Sequence, residues 1–148
     1  MTRTLTEKER EYLATHRLGR LATIGPDGRP DVVPVGYRLN PDGTVDIGGP
    51  RLAASRKFRN VTARPSAALV VDDTTPEDAA PFRAGVGRGV ELRGRAEGLR
   101  GVAPPALSEI FSDEVIRIHP DHVVSWHVDP DRPTLSILKG NEGAYRER

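Results

Sequence analysis

LGRLATIGPDGRPDVVPVGYRL, residues 18–39, carries the pattern that decides the fold. The apolar segment Leu21–Ile24 predicts a strand, and the Gly-Pro-Asp-Gly sequence at 25–28 is a strong turn signal that ends it. The segment Val32–Leu39 predicts a second strand. Because proline cannot donate a hydrogen bond to a strand ladder, Pro34 indicates that this strand contains an edge or a bulge.

Further strand patterns follow towards the C-terminus. A turn at Asn40–Gly43 leads into an alternating third strand, Thr44–Gly48. The later segments with apolar or alternating patterns are Ala67–Val71, Gly89–Glu97, Val115–His119 and Val123–Val128, with Thr134–Leu138 as a last short candidate. Residues 73–88 are predicted to form an exposed loop, and residues 98–112 a loop with one short helix.

A helix is predicted on each side of the first three strands. The first covers Glu7–Thr15 and begins with a capping box, in which Thr6 is the N-cap and Glu9 reaches back. The second covers residues 52–64 and ends before Pro65. Its apolar positions at i, i+4 and i+7 define one helical face: Ala54, Phe58 and Val61.

The order of these elements predicts the fold class. The loops between strands are too short for repeated crossover helices, which argues against a parallel sheet. We therefore expect a mainly β protein, an antiparallel barrel with one or two short helices. A length of 148 residues suits one domain covering 1–148.

Composition excludes several function classes. There is no cysteine, so zinc fingers, iron–sulfur clusters, thiol catalysis and disulfide frameworks are ruled out. A net charge of +1 gives no bulk electrostatic case for nucleic acid. No apolar run is long enough to span a membrane, and the N-terminal segment MTRTLTEKEREYL lacks a secretory apolar core, so a cytoplasmic protein is expected.

Four segments in this order resemble the split β-barrel flavin and deazaflavin enzymes related to pyridoxamine 5′-phosphate oxidase, and among them the branch that uses coenzyme F420. Those segments are residues 18–39, DIGG (46–49) with SRKFRNV (55–61), ALVVDD (68–73), and RGVELRGRAE (88–97) with VIRIHPDHVVSW (115–126). The resemblance implies a homodimer that binds F420 or, alternatively, FMN. The proline-rich residues 98–112 depart from the family pattern and leave the substrate open.

The segment Ser55–Asn60 is the candidate phosphate site. In a helix, Arg56, Arg59 and Asn60 would fall at i, i+3 and i+4, and Lys57 would flank them. Guanidinium, ammonium, hydroxyl and amide groups together suit a phosphate. The alternative interpretation is the solvated face of an amphipathic helix. The resemblance implies cofactor-phosphate binding, with Lys57 and Asn60 at matching positions.

Two strand segments are candidates for the cofactor ring. Val33, Pro34 and Val35 on one strand, and Ile47 and Gly48 on the next, would present main-chain amides and small side chains. A flavin or deazaflavin ring needs an apolar wall and such donors. Plain strand and turn structure is the alternative. Trp126, the single tryptophan, either packs in the core or closes the ring site from across a dimer interface.

The histidines do not form a metal motif. None of His16, His119, His122 and His127 belongs to a carboxylate–histidine pattern, so no metal site is expected. Walker, Rossmann, nucleophile-elbow and triad signatures are also absent. This suits hydride transfer, in which the cofactor carries the reactive chemistry. Tyr37 and His127 are the candidates for a proton donor.

The resulting hypothesis is a homodimeric enzyme that transfers a hydride between reduced F420 and a small organic acceptor, such as an enone, a quinone, a bilin or a natural-product intermediate. Alternatives are an FMN-dependent oxidase or reductase and a non-catalytic module that binds a flavin or tetrapyrrole. A nucleic-acid binder using the basic residues 51–64 is disfavoured by the near-neutral charge and the few aromatic residues. No membrane partner is expected.

Overall fold

Six antiparallel strands form a closed barrel in the computed structural model, which describes residues 4–131. In chain order the helices and strands are α1 (Glu7–Thr15), β1 (Leu18–Ile24), β2 (Pro30–Leu39), β3 (Val45–Gly48), α2 (Arg56–Ala63), β4 (Ser66–Thr74), β5 (Gly87–Arg100) and β6 (Glu114–Trp126). Around the barrel the order is β1, β2, β3, β6, β5, β4, and β4 pairs again with β1. The predicted mainly β antiparallel barrel with two short helices is confirmed. The candidate strand Thr134–Leu138 lies outside the described residues.

The capping box of α1 is confirmed. The Glu9 amide donates to the Thr6 hydroxyl and the Thr6 amide to the Glu9 carboxylate, each over 3.2 Å. The same carboxylate is fully buried and accepts a 3.0 Å hydrogen bond from the Ser125 hydroxyl on β6. Glu9 thus caps the helix locally and also holds α1 against the barrel.

The predicted edge at Pro34 is confirmed. All of β1 pairs with residues 30–36 of β2, and Pro34 faces Arg20 in regular register. The pairing of β2 with β3 covers only Gly36–Leu39. The first half of β2 therefore has a strand neighbour on one side only, where proline costs no ladder bond.

The two strands predicted at Val115–His119 and Val123–Val128 form one continuous strand, β6, so their separation was wrong. Pro120 pairs with Gly94 and His122 with Arg93, which leaves Asp121 as an extra residue in a β-bulge. A side chain at Gly94 would overlap the His119 carbonyl. The bulge and the close approach of the two backbones at Gly94 allow β6 to continue past Pro120.

The single helix predicted over residues 52–64 was also wrong in part. A short 3-10 turn covers Leu52–Ala54, and α2 begins after Ser55, whose backbone is extended. The Ser55 hydroxyl accepts a hydrogen bond from the Phe58 amide, so it acts as a helix N-cap. Because of this break Ala54 is exposed, and Leu52 takes its place in the core.

Two loops are shorter than predicted. Strand β4 runs to Thr74 and β5 begins at Gly87, so the first loop covers residues 75–86. Strand β5 continues to Arg100, and residues 101–113 contain turns in place of the expected short helix. Across the described part of the chain, no helix is both long and apolar enough to cross a membrane.

The barrel interior is fully apolar at its centre. Its completely buried side chains include Leu21, Ile47, Leu69, Leu92, Ile116 and Ile118.

Candidate functional site

The strands close into a barrel, but its wall has an opening beside the end of β3, where part of β2 lacks a second strand neighbour. This strand stops at Gly48, opposite Gly36 of β2, while the preceding residues of β2 continue without β3 beside them. From Gly49 the chain turns away towards α2. A main-chain edge at Val33–Val35 thus borders the segment that carries Lys57.

Lys57 is the cation that reaches this opening. A Cβ atom on Gly49 would lie 4.0 Å from both Cε and Nζ of Lys57, so the ammonium faces the backbone at the end of β3. Partial burial lowers the pKa of Lys57 below its ordinary value. Within residues 4–131 no carboxylate lies within ion-pair distance of Lys57. A partly desolvated, unpaired ammonium is suited to bind an anionic group.

The other predicted cations point elsewhere. Arg56 lies 3.6 Å from a carboxylate oxygen of Asp31, and Arg59 donates over 2.7 Å to the carbonyl of Ala54. Both line a separate cleft of about 760 Å³ between the β1–β2 turn and α2. The Ser55 hydroxyl caps α2 and donates to the Leu52 carbonyl over 2.5 Å. The predicted phosphate cluster is thus divided between two places.

Asn60 lies inside the protein. Its side-chain amide nitrogen donates to the Thr23 hydroxyl over 3.0 Å and to the Asp31 carboxylate over 2.9 Å. Only 2% of the residue is exposed. Asn60 therefore fixes α2 against the β1–β2 hairpin and so sets the direction of Lys57, one turn earlier on the same helix. Its predicted contact with a phosphate remains a prediction.

The residues predicted to contact the cofactor ring differ in their burial. The side chains of Val35 and Ile47 point into the core, whereas Val33 is 37% exposed and Pro34 is exposed. At Gly48 the position of a Cβ is already occupied, because Pro105 and Phe111 lie 2.6 and 2.8 Å from it. Contact with a planar ring would therefore use the main chain of these strands and the side chains of Val33 and Pro34.

The segment that covers Gly48, residues 104–112, is called the strap below. Arg38 donates to the Pro104 carbonyl over 3.4 Å at one end of it. At the other end the Ser112 amide donates to the Gly49 carbonyl over 3.2 Å, and the Ser112 hydroxyl accepts from the Leu52 amide over 3.0 Å. From the sequence, residues 98–112 were predicted to form a loop with one short helix. The prolines of this segment were the only indication that it departs from the family pattern.

The two candidate proton donors lie in different parts of the fold. The Tyr37 hydroxyl donates to the Leu13 carbonyl of α1 over 2.6 Å, and burial raises the pKa of Tyr37 above its ordinary value. His127, 1% exposed, lies beside the 75–86 loop with Nδ1 3.2 Å from the Thr75 hydroxyl. Burial lowers the pKa of His127, and its buried Nε2 has no hydrogen-bond partner among residues 4–131. The neutral imidazole is therefore favoured at this position.

Trp126 is the last residue of β6 and is half-buried opposite Gly89 of β5. Its indole lies over Gly89, because a Cβ there would be 2.7 Å from the ring. The packing role predicted for Trp126 is thus visible, and its contact with a cofactor remains a prediction. No group of three potential metal-ligating side chains converges in residues 4–131.

Comparison of the amino-acid sequence with known proteins identifies a family and a relative of this chain. The pattern of the family described as pyridoxamine 5′-phosphate oxidase matches residues 5–138. A 5a,11a-dehydrotetracycline/5a,11a-dehydrooxytetracycline reductase of Streptomyces rimosus is 39% identical over 130 residues, which is 87% of this chain and 87% of that protein.

Solved structures show the same fold. A conserved hypothetical protein of Mycobacterium tuberculosis superposes with a TM-score of 0.63 and 25% identity, over 86% of this chain and 90% of the other. An F420 reductase superposes with a TM-score of 0.58 and 21% identity, over 81% of this chain and 98% of the other.

Proposed function

This chain belongs to the pyridoxamine 5′-phosphate oxidase family, and from that premise we propose that it is an oxidoreductase that uses coenzyme F420 to transfer a hydride to a small organic acceptor. The observation that carries the proposal is the unpaired, half-buried ammonium of Lys57, beside Gly49 at the open edge of β2. Similarity to a reductase over 87% of the chain supports the reaction class.

The residues at the opening fit the parts of such a cofactor. Lys57 would hold the phosphate by a charge-assisted hydrogen bond. The main-chain groups of Val33–Val35, on the edge of β2 that has no neighbouring strand, would face the polar rim of the ring. The exposed side chains of Val33 and Pro34 would contact its apolar surface. When bound, F420 supplies a hydride, and the protein supplies binding and orientation.

The similar enzyme supports a choice of acceptor class. The Streptomyces rimosus relative acts, by its name, on dehydrotetracyclines. A polycyclic enone is therefore the first acceptor to test, followed by quinones, bilins and other natural-product intermediates.

Solvent is the proton source to test first. The hydroxyl of Tyr37 is engaged by the Leu13 carbonyl. His127 follows the end of β6 opposite to the one beside Gly48, because Ile116, near the start of β6, pairs with Ile47. Within one copy of the chain His127 is therefore distant from Lys57, so it is the second candidate.

An FMN-dependent oxidase or reductase is the second candidate. A lysine anchor would bind the phosphate of FMN as well as that of F420, so this residue does not distinguish the two cofactors. The choice between the two cofactors therefore depends on measured affinities.

The test is an anaerobic fluorescence titration of the purified protein with reduced F420 and with FMN. We expect F420 to bind more tightly, and 5a,11a-dehydrooxytetracycline or menadione to reoxidise the bound cofactor in turnover. FMN that co-purifies stoichiometrically and is not displaced by F420 would support the second candidate. Tight binding without turnover of any acceptor would indicate a non-catalytic module.

A further inference from the structure

The strap, residues 104–112, is firmly attached at both ends. Its first residue is held by Arg38, whose guanidinium also donates to the buried carboxylate of Asp46 over 3.0 Å. Its last residue, Ser112, is bonded to the carbonyl of Gly49. Between these anchors Pro105 and Phe111 fill the face of Gly48. The strap is thus held against β2 and the end of β3 by contacts at four places.

The middle of the strap exposes apolar side chains instead of burying them. Leu107 is 58% and Ile110 62% exposed. The amides of Ile110 and Phe111 both donate to the Leu107 carbonyl over 2.8 Å, which closes a tight turn. Leu107 has φ = 50°, a left-handed conformation that leucine rarely adopts. A hydrogen-bonded turn therefore holds two large apolar side chains in solvent.

This turn lies next to the proposed cofactor anchor. Ser112 follows Ile110 by two residues and bonds to Gly49, the residue whose backbone faces the ammonium of Lys57. A cofactor held at Lys57 with its ring along β2 would have the strap as its neighbour on the β3 side. The exposed side chains of the turn would then border the space beside the ring.

We propose that Leu107 and Ile110 contact the hydride acceptor and favour an acceptor that presents an apolar ring edge to them. The inference rests on the proposed function and extends it to the acceptor. Apolar contact with these side chains would strengthen acceptor binding by the area it removes from water. A charged group of an acceptor placed against them would gain no contact and would lose hydration.

Leu107→Asn and Ile110→Asn test the proposal with a matched control, Glu109→Gln. Asparagine tolerates the left-handed conformation at position 107, so the turn is retained while its apolar surface is lost. Glu109→Gln changes an exposed side chain of the same turn without changing its apolar surface. Menadione and 1,4-naphthoquinone-2-sulfonate serve as the apolar and charged probes. Thermal melts confirm that each variant is folded.

The first readout is equilibrium binding, measured by calorimetric titration of each quinone into protein saturated with oxidised F420, which has no hydride to give. We expect each asparagine variant to bind menadione about five- to tenfold more weakly. The affinities for the sulfonate and for F420 should stay unchanged, as should every value for Glu109→Gln. In turnover, the KM for menadione should rise by a similar factor while kcat changes little.

Three results would overturn the proposal, each for a different reason. Unchanged menadione affinity in both asparagine variants, with normal F420 binding, would remove the acceptor contact and leave the proposed function intact. Loss of F420 binding together with a change in oligomeric state would make the turn a contact between copies of the chain. Failure of the unmodified protein to bind F420 would refute the proposed function itself.

Discussion

Asp46 on β3 and Arg117 on β6 face each other across neighbouring strands and share two hydrogen bonds, from Nε to Oδ1 over 2.7 Å and from Nη2 to Oδ2 over 2.9 Å. Arg38 on β2 adds a third bond to the same carboxylate. Burial opposes the charge on Asp46, but the two guanidinium groups outweigh it and hold its pKa below the ordinary value. Because Arg38 also bonds to the Pro104 carbonyl, this one carboxylate supports three strands and the strap.

Asp46→Asn should destabilise the fold markedly. The carboxylate is fully buried, and its loss leaves Arg117 and Arg38 facing a neutral amide. We expect a loss of about 2–4 kcal/mol, below the full effect of breaking a buried ion pair because both arginines reach water. Urea unfolding measures the change. A variant as stable as the native protein would mean that the arginines find other partners.

The lowered pKa of Asp73 predicts how the stability of the fold depends on pH. Burial opposes its charge, but hydrogen bonds from Arg88, Tyr12 and His16 lower the pKa of Asp73 to about 2. In the unfolded chain an aspartate has a pKa of about 3.9, so the stabilisation is complete above that value and is lost as the pH falls towards 2.

Asp73→Asn should therefore cost about 1–2 kcal/mol at neutral pH, after discounting for solvent screening of a group about one-third exposed. The difference from the native protein should shrink steadily below about pH 4. Thermal melts across the acid range measure it. Asp72→Asn, which removes an exposed pair with Arg20, is the control and should have little effect. A difference that persists at pH 2 would contradict the ionic origin of the stabilisation.

Gly48 and Gly36 are paired neighbours that should respond differently to alanine. A Cβ at Gly48 would lie 2.6 Å from Pro105, whereas one at Gly36 would lie 3.6 Å from Phe111, an ordinary contact. We expect Gly48→Ala to displace the strap and cost about 1–3 kcal/mol, and Gly36→Ala to be tolerated. Chemical unfolding of both variants, with proteolysis to report on the strap, provides the comparison. Equal effects would show that the strap yields at little cost.

Lys57→Ala tests the proposed phosphate anchor. Loss of one charge-assisted contact worth about 1.5–3 kcal/mol should weaken F420 binding by roughly ten- to a hundredfold. The fold should survive, because alanine favours a helix. Lys8→Ala on α1, where the lysine pairs with Glu11, is the matched control and should bind normally. Normal F420 affinity in a folded Lys57→Ala protein would place the phosphate elsewhere, with Arg51 the next residue to test because Arg88 is paired with Asp73.

The exposed apolar edge of β2 predicts a homodimer. Val32 is 67% exposed, and Val33 and Pro34 extend the same apolar segment. Light scattering at micromolar concentration should give about twice 16.1 kDa. Val32→Glu should shift the protein towards monomer, while Thr62→Glu on the exposed side of α2 should leave it dimeric. A native protein that is monomeric under these conditions would rule out a site completed by a second copy.

Features with a local cause could be predicted from the sequence. The capping box of Thr6 and Glu9 depends on residues three apart, and the β1–β2 turn depends on four successive residues, so both are legible without the fold. The alternation of apolar and polar residues likewise indicates strands, because successive side chains of a strand point to opposite faces. The barrel followed from the number of such strands and the shortness of their connections.

The candidate site could be predicted only in part. Spacing on a helix placed Arg56, Lys57 and Asn60 close together, but it does not say which neighbours each side chain meets. In the structure Lys57 faces Gly49, whereas Asn60 is drawn inwards by Thr23, 37 residues earlier. The rotation of α2 against the barrel decides this division, and that rotation is set by contacts distant in sequence.

The sequence by itself determined the strands, both helical regions, the edge at Pro34 and the presence of a basic segment after β3, because each rests on neighbouring residues or on a short period. Only the tertiary structure decided that β6 continues through Pro120, that the strap rests on Gly48, and that one lysine stands apart from the arginines around it. Those features depend on pairs such as Gly48 with Pro105 and Gly49 with Ser112, which lie more than fifty residues apart. Contacts at that separation are selected by the packing of the whole barrel, and no local pattern encodes them.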